Sequence, residues 1–188
     1  MKYKYLPKLT KKEKLILELI YKYDFITSSN MKLLSKFPSN RHAILKSITE
    51  KGFANRHVIS RKSSIWYLSE MGSDYMKSLF TYIDYRFSIN DFESSMINHN
   101  RGLVDIELIY NDYKKDRSAM GKYFCEKEVV SIFNANKKTM KNEAISFFRI
   151  PDSMFKYTPS EFKDEINVVV ELELTLKSKR RYYNIFYF

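Results

Sequence analysis

The chain has 188 residues, 44% of them apolar, and a net charge of +11, so it can bury a core and present a surface that attracts polyanions. A single cysteine, Cys125, excludes an intrachain disulfide framework and a multi-cysteine zinc site, and four glycines and four prolines argue against long disordered linkers. The N-terminal run MKYKYLPKLTKKEK lacks the apolar core of a signal peptide, and no stretch of about twenty apolar residues is present to span a membrane; the expectation is a cytoplasmic protein with no membrane partner.

Residues 9–26, LTKKEKLILELIYKYDFI, read as a helix. Thr10 is a good N-cap, Glu13 three residues later completes a capping box, and Leu15, Ile16, Leu19, Ile20 and Tyr23 recur at helical spacing. TSSNMKLLSKF then predicts a short helix with Met31, Leu34 and Phe37, interrupted at Pro38. SNRHAILKSITEKG predicts a third helix, capped by Ser39, with Ile44, Leu45 and Ile48 as its buried stripe and Gly52 at its stop. FANRHVIS and SSIWYLS are two short strands around RKSS, a basic hairpin, and SEMGSDYMKSLF closes with a fourth helix. Charge follows this division. Residues 1–80 hold 16 Lys/Arg against 6 Asp/Glu, whereas residues 81–188 hold 17 against 16. A basic half followed by a balanced half predicts a nucleic-acid-binding module joined to something else; a lysine-rich solubilising surface is the plainer alternative.

Helix, short helix, helix, basic hairpin, helix is the order of a winged helix-turn-helix. LKSITEKGFANR resembles the end of a winged-helix recognition helix running into the first wing strand. WYLSEMGSDYM resembles the second wing strand and the Y-x-L-T-x-x-G turn of that superfamily, with Ser69 in place of threonine. The resemblance covers residues 9–80 and sets a DNA-binding domain at residues 1–82. Ser39, Asn40, Arg41 and His42 lie on the first turn of the third helix, where side chains meet base edges: arginine pairs bidentately with guanine and asparagine with adenine. Lys46, Arg56, Arg61 and Lys62 are better placed for phosphates. Trp66 and Tyr67 are expected to pack the wing on its helices.

In the second half, residues 88–116 predict a long helix with Ile97, Val104 and Leu108 among its apolar positions. KYFCEKEVVSIF is a predicted strand, NANKKTMKNE a loop, AISFFRIPDSMFKY a strand region broken at Pro151, and TPSEFKDE a loop. INVVVELELTL is a further strand, and KSKRRYYNIFYF begins a helix. Period-two alternation puts Val168, Val170, Leu172, Leu174 and Leu176 on one side of that strand and Val169, Glu171, Glu173, Thr175 and Lys177 on the other. The second side either meets water or holds something positive.

Helix, strand, Pro-Asp strand, Glu-x-Glu strand and basic helix resemble the PD-(D/E)XK nuclease-like fold. The resembling residues are Pro151–Asp152 and Glu171–Glu173. The expected architecture is therefore α+β: a winged helix-turn-helix, then an α/β nuclease-like domain at residues 88–188. The chain stops soon after the motif, which leaves the last helix and strand of that fold unmatched. The resemblance implies a carboxylate site, Asp152, Glu171 and Glu173, for Mg²⁺, a hard cation that takes oxygen ligands and can activate water. The family's usual lysine is missing: its place holds Glu173 or Thr175, and Lys177 lies one strand period further on. A wet strand face accounts for the same residues without any metal.

Winged helix, RIPDS and VVVELELTLKSKRRY together resemble the replication-relaxation family, which includes MobC-type plasmid mobilisation proteins; ELELTLKS carries the likeness. The resemblance implies a double-stranded DNA-binding accessory protein of plasmid mobilisation or replication, working beside a relaxase. Two alternatives stand next to it. One is a Mg²⁺-dependent DNA endonuclease, in which Asp152, Glu171 and Glu173 hold the metal and Lys177 steadies transition-state charge. The other is a transcriptional repressor.

Overall fold

The computed structural model describes residues 6–32, 41–80, 83, 85–115, 117–137, 150–159 and 164–172. The fold is α+β, in two compact units, Met1–Asp116 and Arg117–Phe188.

The first unit begins with helix α1, Lys11–Tyr23. Its start is the expected capping box: the Thr10 hydroxyl accepts from the Glu13 backbone N–H, and the Glu13 carboxylate accepts from the Thr10 N–H at 2.7 Å. The helix stops earlier than the apolar pattern suggested, because Asp24 adopts a positive φ of 70°. Phe25–Thr27 then forms strand β1, although its apolar residues continue the pattern of the helix. A 3₁₀ turn at Asn30–Lys32 follows, and helix α2 runs Arg41–Glu50. It ends at Gly52, whose φ of +80° allows the Phe53 N–H to reach the Ile48 carbonyl and the Gly52 N–H to reach Thr49.

Strands β2, Ala54–Ser60, and β3, Ser63–Leu68, form the expected hairpin, and β3 also pairs with β1, so the antiparallel order is β1-β3-β2. The sheet is largely buried at β1 and β3, whereas β2 is exposed from Asn55 to Val58. Trp66 and Leu68 share one face and are buried, and Ile16, Leu17 and Ile20 of α1 and Leu45 and Ile48 of α2 are buried in the core. On the other face, Phe25 and Tyr67 meet Phe87, and Phe92 lies edge-on to Phe25.

Helix α3, Glu70–Leu79, explains the S-x-x-G turn physically. The Ser69 hydroxyl accepts from the Gly72 N–H at 3.0 Å and donates to the Gly52 carbonyl at 2.5 Å. A Cβ on Gly72 would lie 1.9 Å from the Phe53 carbonyl oxygen, so only glycine fits. The long helix expected at 88–116 opens as a 3₁₀ turn, Ile89–Asp91, and continues as α4, Met96–Lys114. It belongs to the first compact unit, Met1–Asp116. Several polar contacts tie it there: the buried Glu107 carboxylate accepts from Lys22 at 2.8 Å and from the Tyr23 hydroxyl at 2.6 Å, and the Asn30 amide donates to Asp105 at 2.9 Å.

The second unit contains strand β4, Met120–Cys125, helix α5, Glu126–Lys137, and strands β5, Ser153–Tyr157, and β6, Ile166–Val170. The three strands form an antiparallel sheet in the order β4-β5-β6, and α5 packs on β4 and β5. Two expectations are corrected here. The strand read at KYFCEKEVVSIF is half strand and half helix: Glu128 turns back to accept from the Cys125 N–H at 3.1 Å, and acidic Glu126 and Glu128 suit a helix N-terminus. The strand read through ELELTL ends at Val170, and residues 173–188, with the expected last helix, lie outside the described residues. Ser153 starts β5 directly after Pro151 and Asp152, as proline's missing donor requires.

The Gly72 contact gives a direct test. Gly72→Ala forces either α3 or the Phe53 carbonyl to move and should cost at least about 2 kcal/mol. Urea unfolding should show a lower midpoint, and an unchanged midpoint would contradict the close approach.

Candidate nucleic-acid interface

Helix α2 and the β2–β3 hairpin border a groove of about 560 Å³. His42, Lys46, Thr49 and Glu50 line it from the helix, and Arg56, Arg61, Lys62, Ser63, Ser64 and Trp66 from the hairpin. Five residues named from the sequence as DNA-binding therefore meet in one place: His42, Lys46, Arg56, Arg61 and Lys62. Arg41 is the first residue of α2. Ser39 and Asn40 lie outside the described residues.

The register explains why these groups gather. Arg56 stands directly opposite Trp66 in the hairpin, so both side chains share a face, and Ser64, two residues before Trp66, shares it too. His42, Lys46, Thr49 and Glu50 fall at spacings of four, three and one, which put them along one side of a helix. Lys46 makes an exposed ion pair with Glu50 at 3.6 Å, a contact worth little in water. Among the described residues, no ion pair engages His42, Arg56, Arg61 or Lys62. The groove thus keeps a positive field that the protein itself barely offsets. Ser64 and Trp66 were not foreseen as groove residues. The signal was available: alternation in SSIWYL sets both on Arg56's side once the strands pair.

Glu13 holds the helix wall of the groove. Its carboxylate, 4% exposed, accepts from the Ser47 hydroxyl at 2.7 Å and from the Lys51 ammonium at 2.7 and 2.9 Å, all while capping α1. Burial pushes its pKa up, but the Lys51 ammonium, the Thr10 N–H and the Ser47 and Thr10 hydroxyls outweigh this and hold it at about 2.

The carboxylate pair lies in the second unit. Ser153 pairs with Val170, so one step further along both strands Asp152 stands across from Glu171. Asp152 is buried, and its Oδ2 accepts from the Leu172 N–H at 2.7 Å, which closes the end of the sheet. Glu173 and Lys177 lie outside the described residues. Among the described residues, no group of three His, Cys, Asp or Glu side chains could hold a metal ion; Asp152 and Glu171 are two of the three carboxylates the metal reading requires. On the outer side of β6, Val169 is 61% exposed, so that side of the strand is open next to Glu171. Among the described residues, no helix is long and apolar enough to cross a membrane.

No family model, curated protein or solved structure matches the chain.

The low pKa of Glu13 sets a pH dependence. Because the folded value lies below the ordinary 4.5, the stabilisation is fully present above about pH 4.5 and is lost as pH falls towards about 2. Glu13→Gln should cost on the order of 3 kcal/mol at pH 7. The gap between wild type and variant should close between pH 4.5 and 2 in denaturant titrations. A gap of constant size down to pH 2 would contradict the assignment.

Proposed function

We propose that the first unit is a winged helix-turn-helix that binds double-stranded DNA, and that the chain serves as an accessory protein in plasmid mobilisation or replication beside a relaxase. The observation that carries the DNA reading is the basic groove between α2 and the hairpin. The element order and the β1-β3-β2 sheet support the winged-helix assignment. In this reading α2 enters the major groove and the hairpin lies over a neighbouring phosphate strand. A ten-residue helix is long enough for that role: at about 1.5 Å per residue it spans more than the width of the major groove.

The mobilisation setting rests on the sequence run ELELTLKS. For the second unit we read a nuclease-like module whose role is to engage DNA or the relaxase. An antiparallel β4-β5-β6 sheet with Asp152 and Glu171 across its end supports that reading. The hydrogen bond from the Leu172 N–H to Asp152 gives this carboxylate a structural duty that needs no metal. Cleavage is therefore not required by the proposal.

Sequencing of DNA selected by the full chain from plasmid fragments tests the function and yields its preferred site. Binding should weaken steeply as salt rises. Arg41→Ala should cost about 1–3 kcal/mol at the preferred site and flatten sequence preference, because Arg41 opens the groove-entering helix. Lys62→Ala, in the hairpin turn, should weaken all sequences alike. Equal, uniform losses from both variants would contradict this docking, and no duplex binding at low salt would contradict the function.

A further inference from the structure

We propose that the groove between α2 and the β2–β3 hairpin seats one backbone phosphate of duplex DNA, with Arg56 as its ligand and with Ser64 and Trp66 holding Arg56 in position. The inference rests on the DNA-binding reading and adds to it which residue grips the backbone and what aims that residue.

Arg56 differs from the other basic groups of the groove in being held. Its Nε and Nη2 lie 3.1 and 3.0 Å from the Ser64 hydroxyl oxygen, to which both donate. Its guanidinium carbon sits 5.5 Å from the centre of the Trp66 ring, within cation–π range. Trp66 is only 6% exposed, so the platform is fixed by the core beneath it. Ser64 is also 6% exposed and comes from the same strand as Trp66, so serine and ring form one rigid cradle.

The hydroxyl engages one edge of the guanidinium and the indole one face. The rest of the fork stays open, and arginine's remaining N–H groups match the geometry of a phosphate. Among the described residues, no carboxylate competes for it. A long side chain normally loses rotamer freedom when it grips a ligand. Here that ordering is already present in the free protein, so binding a phosphate costs less. Arg61 and Lys62, on the hairpin turn, have no such cradle among the described residues: the Lys62 backbone N–H reaches the Ser60 hydroxyl, and its ammonium forms no ion pair there. They add field strength to the groove, and Arg56 gives it a fixed contact point.

The test measures affinity of the full chain for a mixed-sequence duplex across a salt series. Each phosphate contact contributes about 0.9 to the slope of log affinity against log salt. Arg56→Ala should lower the slope by about that amount and the affinity about tenfold. Ser64→Ala should leave the slope unchanged, since no charge is removed, while affinity falls about three- to tenfold as Arg56 loses its anchor. Arg56→Lys should keep the slope and lose affinity, because an ammonium cannot use both the hydroxyl and the indole face as the fork does. A wild-type slope in Arg56→Ala would overturn the seat. Wild-type affinity in Ser64→Ala would overturn the positioning role. Absence of binding by the wild type at low salt would instead remove the DNA reading itself, and the seat with it.

Discussion

Glu13 joins three structural duties in one buried carboxylate. It caps α1, it anchors Ser47 and Lys51 of the α2 segment, and it places a negative charge where Lys51 neutralises it. A buried charge without such partners would be strongly destabilising, so the site is stable only when α1 and α2 are correctly set against each other. The orientation of α2, and with it the helix wall of the basic groove, depends on this contact. The other end of α1 is fixed by the same kind of chemistry: Lys22 and Tyr23 reach Glu107 on α4. Helix α1 therefore acts as a strut between the two helices, with a buried carboxylate at each end.

Among the described residues, buried charges are partnered, whereas most of the groove's cations form no ion pair. Glu13, Lys22, Glu107 and Glu128 are all buried and all have hydrogen-bond or ion-pair partners. Around the groove, by contrast, several cations face solvent, and among the described residues Glu50 is the one carboxylate lining it. Like charges gathered on a surface repel, and folding alone gives no reason to gather them. The proposed DNA partner would supply one. The same contrast distinguishes Arg56, which sits between exposed chemistry and a buried aromatic support.

Features of the first unit set by local chemistry were legible in the sequence. The Thr10–Glu13 capping box, the Gly52 stop, the two hairpin strands and the Ser69–Gly72 turn each leave a mark within a few residues. Less legible was whatever depends on distant partners. Strand β1 is three residues long and continues the apolar pattern of α1, so only the positive φ at Asp24 separates them. Helix α5 contains VVSIF, a run with strand-like composition, and the acidic start that makes it helical is a weaker signal. The packing of α4 on the first unit involves partners far apart in sequence, such as Glu107 meeting residues 84 and 85 positions earlier and Asp105 meeting Asn30. In the groove, basic residues were visible one by one, but the Ser64–Trp66 cradle needed the strand register.

The central claim is that α2 and the hairpin together form the DNA-contacting surface. Backbone amide shift mapping of the ¹⁵N-labelled full chain, titrated with duplex DNA at low salt, tests it most directly. The account predicts that the largest shifts fall on Arg41–Glu50 and on residues 56–64 together, with little change at the Val169 side of β6. Shifts concentrated in β4, β5 and β6, with α2 and the hairpin unmoved, would contradict it.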